Sequence, residues 1–203
     1  WQFATLLSIN IMVFAIIHIF FAWYDKIWNI IENWNLDSHL LLPKNLLFRL
    51  YCSKTSASAI WDMIYAFMIM IFIPNLSLVL VLKIIFFSII WSMAFLWFIT
   101  IFWALSFYIW SSRFFFIFFL ESLLWPSHYP PKIFENVIFK IIFICIIPVY
   151  FTTFGNFELV LDFSLDKFIF ILLWNIVFLS IWIFSFYNWL KRYESWNLVT
   201  TNV

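Results

Sequence analysis

The chain has 203 residues, 67% of them hydrophobic and 10% charged, and a formal net charge of +1. Soluble domains carry about 25% charged residues, and no soluble core absorbs this much Phe, Ile and Leu without large exposed apolar patches. The chain is therefore an integral membrane protein, and its near-neutral charge gives no footprint for a nucleic-acid partner.

It opens at Trp1 and is apolar within a few residues. No charged start or small-residue cleavage site marks a signal peptide, so we read it as a fragment with at least one span ahead of it. A spanning helix needs about 20 mainly apolar residues, and residues 4–23 supply the first. Residues 24–56 are the longest polar stretch. Within it Trp23, Ile27, Ile30, Ile31 and Trp34 recur at helical spacing, with Asp25, Lys26, Asn29, Glu32 and Asn33 on the other face, which predicts an amphipathic helix or an extension of the first span. Asp37 and Ser38 can cap a new turn, Pro43 breaks it, and Leu46, Leu47, Leu50 and Tyr51 form a second apolar stripe. An interfacial helix that only anchors the loop and a docking surface for a cytoplasmic partner both fit that stripe.

Residues 58–74 predict a second span, closed by Pro74-Asn75. Residues 77–110 are apolar apart from Lys83 and would reach about 50 Å as one helix, so the helix tilts or bends. Residues 114–125 are too short to span alone. The segment 125–132, "WPSHYPPK", stops any helix through Pro126, Pro130 and Pro131, which remove donors and restrict their neighbours. Residues 136–154, with Pro148, and 167–189 complete the set, and 190–203 form a polar tail. The fold class is all-α, a polytopic bundle of about five to six spans within one transmembrane domain, 1–203. Long apolar runs rather than alternating ~10-residue segments argue against a barrel. Lys26, Lys44, Arg49, Lys54, Lys191 and Arg192 place the 24–56 loop and the tail in the cytoplasm by the positive-inside rule; Lys132 and Lys140 on the outer side weigh against it.

Ionisable groups inside a membrane are costly and often functional. Asp62, however, is near the start of its span, Lys83 can snorkel, and Glu121 is near the Pro-rich break. His18, His39 and His128 lie in segments that do not converge, so no haem or metal site is expected. Cys52 and Cys145 sit in a polar segment and an apolar run, which suits neither a disulfide nor a metal. The chain has no G-x-S-x-G, H-E-x-x-H or G-x-x-x-x-G-K-[ST] pattern, so neither catalysis nor phosphate-loop ATP binding is predicted, and no cofactor is implied.

Three stretches go further. "WNLDSHLLLPKNLLFRL" (34–50), "HYPPKIFENVIFKIIFICIIPVYF" (128–151) and "NWLKRYESWN" (188–197) resemble, in order and spacing, the permease subunits of type 2 ABC exporters, the ABC-2 family transporter proteins. One branch of that family carries G-x-L-D-x-x-L-x-x-P before its third span and ends on G-L-x-x-Y-x-S-[AG]. The resemblance covers residues 1–197 and implies a non-enzymatic bacterial cytoplasmic-membrane permease that pairs with a second permease, identical or not, and with a separate cytoplasmic ATP-binding subunit. Leu36, Asp37, Pro43, Lys44, Leu46, Leu47 and Arg49 would then form the ATPase-docking loop. Pro126, Tyr129, Pro130 and Pro131 would form a re-entrant segment on the outer side, and Lys191, Arg192, Tyr193 and Ser195 the tail motif. The alternative is a non-transport scaffold subunit of a respiratory or assembly complex, which has no reason to carry the 34–50 and 188–197 patterns together.

The chain holds fourteen tryptophans and one glycine, Gly155, where average usage would give about 14 glycines. Trp34, Trp189 and Trp196 stand where the resembled pattern has glycine. Trp34 follows a predicted helix end, where a left-handed residue favours glycine. This distribution predicts that many of the tryptophans are UGA codons read as glycine in the cell.

Overall fold

A computed structural model of the protein describes residues 1–22, 30, 37–41, 45–52, 54–105, 113–134, 136–143 and 149–191. Among these every regular element is helical, as lipid demands of a span that is not a closed barrel. In chain order the helices are α1 (Gln2–Phe20), α2 (Asp37–Leu40), α3 (Leu46–Cys52), α4 (Ala59–Met70), α5 (Leu78–Leu105), α6 (Arg113–Ser127), a 3₁₀ turn (Pro131–Phe134), α7 (Val137–Ile141), a wide π-type segment (Tyr150–Phe154), α8 (Gly155–Leu161) and α9 (Leu165–Leu190). Helix α1, residues Leu78–Phe98 of α5, and α9 are long and apolar enough to cross a membrane.

Helix α4 has 12 residues, about 18 Å. Tighter turns extend it: the amides of Ile71, Phe72 and Ile73 donate to the carbonyls three residues back at 3.2, 3.0 and 2.9 Å. Pro74 and Asn75 then reverse the chain, with Asn75 at φ 55°, a left-handed conformation that Asn tolerates better than most residues. Helix α5 spans 28 residues, about 42 Å, longer than a ~30 Å hydrocarbon core.

Helix α5 is the centre of the bundle. Helix α1 packs on one side of it and on α4, and α9, α8 and the wide segment pack on the other. About half of the residues of α1 are buried, whereas α9 buries only Ile171, Asn175, Trp182 and Phe186, a single stripe. The rest of α9 and the outer faces of α4 and α5 are apolar and exposed, Phe184, Phe72 and Leu78 among them. Such a surface suits lipid, not water.

The α5–α9 seam holds a buried polar link. The Trp97 indole N–H donates to Asn175 Oδ1 at 3.0 Å, and Asn175 Nδ2 donates to the Ile171 carbonyl at 2.9 Å. The Trp97 ring meets Trp174 edge-on at 5.2 Å. Asn175→Leu leaves the indole N–H unsatisfied and is expected to cost about 1–2 kcal/mol, read as an earlier transition in detergent unfolding. Adding Trp97→Phe is expected to cost less than the sum of the two changes, because they share one bond.

Residues 136–154 do not form the single span that their hydropathy predicts. Phe143 and Phe154 have ring centroids 5.9 Å apart, and Phe134 touches both, at 5.1 and 5.9 Å. Eleven residues of straight helix would separate Phe143 and Phe154 by about 16 Å, so α7 and the helix from Tyr150 to Leu161 stand side by side rather than end to end. The wide segment loosens the regular backbone pattern there, and Asn156 Nδ2 donates to the Phe151 and Thr152 carbonyls at 3.1 and 3.3 Å. Gly155 lets α8 approach α9: a Cβ at this position would lie 2.6 Å from Ile171 Cδ1.

Candidate functional site

Two regions at opposite ends of α1 carry polar or exposed features that bundle packing does not require. The first surrounds α3. Asn45 Oδ1 accepts the Phe48 amide at 3.3 Å and the Tyr187 hydroxyl at 3.1 Å, capping α3 and tying it to the end of α9. Tyr51 donates its hydroxyl to the Leu96 carbonyl at 3.2 Å and packs edge-on to Phe21 at 5.9 Å. The Ser56 amide donates to the His18 carbonyl at 3.0 Å, so the chain returns to the last turn of α1. We refer to this side as the loop end.

Leu46, Leu47 and Leu50 turn inward and join the core. The apolar stripe of α3 therefore holds the helix to its own bundle. The opposite face presents Phe48, 67% exposed, with Asn45 and Cys52, and Leu41 beyond α2 is 85% exposed. Phe48 is about 200° around the helix from Leu46 at 100° per residue, so it faces away from the inward stripe. Asp37 is the first residue of α2. The nitrogens of the Arg49 guanidinium are screened from solvent and have no hydrogen-bond partner among the described residues. Burial, and then the Arg49 charge, push the His39 imidazole below its ordinary pKa. Cys52 is an exposed free thiol, its pKa raised by partial burial. Leu36, Pro43, Lys44 and most of the Trp23–Trp34 helix expectation lie outside the described residues.

The second region lies at the other end of α1, here the far end. Asn10, at mid-height of α1, donates from Nδ2 to the Ser127 carbonyl at 2.6 Å, fixing the end of α6. Helix α6 runs one residue past Pro126 before it stops. The Ser127 hydroxyl donates to the Leu124 carbonyl at 2.6 Å, and His128 Nδ1 contacts the same oxygen at 2.7 Å. Tyr129 packs on Trp125 at 5.6 Å. Pro130 and Pro131 then reach Gln2, the first residue of α1, and line a cavity with it. The segment 125–132 therefore carries the chain onward from mid-height to the far end.

Glu158 of α8 pairs with Lys167 of α9 at 3.1 Å, both partly exposed, and Lys83 Nζ lies 6.0 Å from the Phe163 ring centroid. At the end of α9, Lys191 donates to Asn188 Oδ1 at 3.3 Å; Arg192, Tyr193 and Ser195 lie outside the described residues. Among the described residues no three His, Cys, Asp or Glu side chains gather as metal ligands would.

No curated protein and no solved structure matches the chain. The sequence profile described as ABC-2 family transporter protein matches residues 1–196, nearly the whole chain, over the helices and both end regions described above. The chain accordingly belongs to the ABC-2 family transporter proteins, the multi-pass membrane permeases of ABC transporters.

Proposed function

We propose that the chain is the permease subunit of an ATP-driven exporter in the bacterial cytoplasmic membrane, paired with a second permease and driven by a separate cytoplasmic ATP-binding subunit. The observation that carries this reading is the two-faced helix α3. Its inner face anchors in the bundle through Leu46, Leu47 and Leu50, while Phe48 and Leu41 stand exposed at the loop end. Lys44 and Arg49 give the surrounding loop positive charge. An anchored helix with one exposed aromatic is suited to receive a push from a docked subunit and pass it to α5 through Tyr51 and Leu96. Closure of the ATPase pair would then alternate the bundle between inward- and outward-open arrangements.

In this reading 125–132 leads into the re-entrant part, to which α7, the wide segment and α8 belong. Irregular backbone at membrane depth is tolerated where protein covers it, and the wide segment is buried against α5 and α9.

Reconstituted alone, the chain is expected to hydrolyse no ATP, because it has no phosphate-binding loop. Co-reconstituted with an ATP-binding subunit encoded beside it, it is expected to support ATP-dependent export. ATP turnover by the chain alone, or a complex in which the ATPase never contacts the loop end, overturns the proposal.

A further inference from the structure

At the far end, between the first residue of α1, the Pro130–Phe134 turn, Phe143 and the run from Tyr150 through α8, lies a cavity of about 540 Å³. That volume falls within the roughly 300–1,000 Å³ of small-molecule sites. Its wall is aromatic: Phe134, Phe143 and Phe154 meet there with centroids 5.1 to 5.9 Å apart. Two charged residues also line it. Glu158 lines the cavity but is neutralised by Lys167 at 3.1 Å. Lys132 also lines it, is exposed, and has no ion-pair partner among the described residues. The cavity thus offers an apolar body and one uncompensated cation.

We propose that this cavity binds an amphipathic anion, with its apolar chain among Phe134, Phe143 and Phe154 and its phosphate or carboxylate head at Lys132. An ammonium beside a phosphate oxygen makes a charge-assisted hydrogen bond, stronger than a neutral one, and the aromatic wall takes the apolar chain out of water. A neutral ligand of the same length gains no charge-assisted bond from Lys132, and a cation meets it with like charge. As the substrate class of this permease, the assignment rests on the transport reading; as a binding site it does not.

The test uses the whole chain in phosphatidylcholine nanodiscs with a photoactivatable dodecyl phosphate. Labelling is expected in the peptides holding Lys132–Phe143 and Tyr150–Leu161. It should be blocked by dodecyl phosphate and not by dodecyl glucoside. Lys132→Glu is expected to lower labelling about tenfold, the scale of one charge-assisted contact, and Lys132→Arg to restore it. Lys132 is exposed, so neither variant threatens the fold. If phosphatidylglycerol in the disc also displaces the probe, the site takes a bilayer lipid; if it does not, the site takes a single-chain solute. Either result supports the assignment. Labelling elsewhere, equal labelling of Lys132→Glu, or equal competition by the glucoside overturns it. Binding needs no ATPase, so an empty cavity leaves the transport reading standing. A labelled cavity in a chain that supports no ATP-driven export removes that reading alone.

Discussion

Phe48→Asp is expected to lower ATP-driven export about thirtyfold while the chain still inserts and folds. Aromatic anchors at protein interfaces commonly contribute about 2 kcal/mol or more, which corresponds to roughly that factor in association. Phe48 is 67% exposed, so aspartate there removes a contact surface without opening the core. Leu50→Ala makes the contrast. Leu50 is fully buried, and truncating such a leucine costs about 2–5 kcal/mol, so this variant should lose stability and export together. Charge reversal at Lys44 is expected to weaken ATPase association in low salt and less so in high salt, as screening of an exposed charge predicts. The exposed thiol of Cys52 offers a direct check. In a Cys145→Ser background, a crosslinker on Cys52 should capture the ATP-binding subunit; capture of lipid alone, with Phe48→Asp fully active, would leave the loop as an anchor and nothing more. The raised thiol pKa calls for labelling at mildly alkaline pH.

The second large effect is on the chemical identity of the chain. Mass spectrometry of the native protein is expected to find glycine, not tryptophan, at positions 34, 189 and 196, with UGA at the three codons. Fourteen tryptophans against one glycine is the reverse of ordinary usage. An aromatic belt at the membrane surface accounts for a residue such as Trp110 but not for Trp34 and Trp196 in polar stretches. At position 189 the helix tolerates either residue. Trp189 lies inside the last turn of α9 and meets Trp182 at 6.4 Å, and glycine would cost that turn about 1 kcal/mol. The expectation at 189 therefore rests on composition and on the family pattern. UGG at codons 34, 189 and 196 ends it.

The ends of the spans were legible because hydropathy and length act together. Residues 4–23, 58–74 and 167–189 became Gln2–Phe20, Ala59–Met70 with its tight turns, and Leu165–Leu190. The stripe of Leu46, Leu47 and Leu50 was legible too, but not what it faces, since periodicity gives a side and not a neighbour. The run 136–154 misled because its apolar content fits a span, while its path is set by contacts among Phe134, Phe143 and Phe154 that no local window contains. Asn10 and Ser127, 117 positions apart, and Trp97 and Asn175, 78 apart, find each other only once the bundle is assembled. The cavity, built from three separate stretches, was invisible for the same reason.

The Asn10–Ser127 bond ties the middle of α1 to the end of α6. Asn10 is eight residues from Gln2 and eight from His18, so a rigid helix pinned there has two arms of about 12 Å each. His18 receives the Ser56 amide from the returning loop, and Gln2 sits in the cavity wall. One helix thus touches both regions, His18 at the returning loop and Gln2 at the cavity, with its middle bonded to the Ser127 carbonyl.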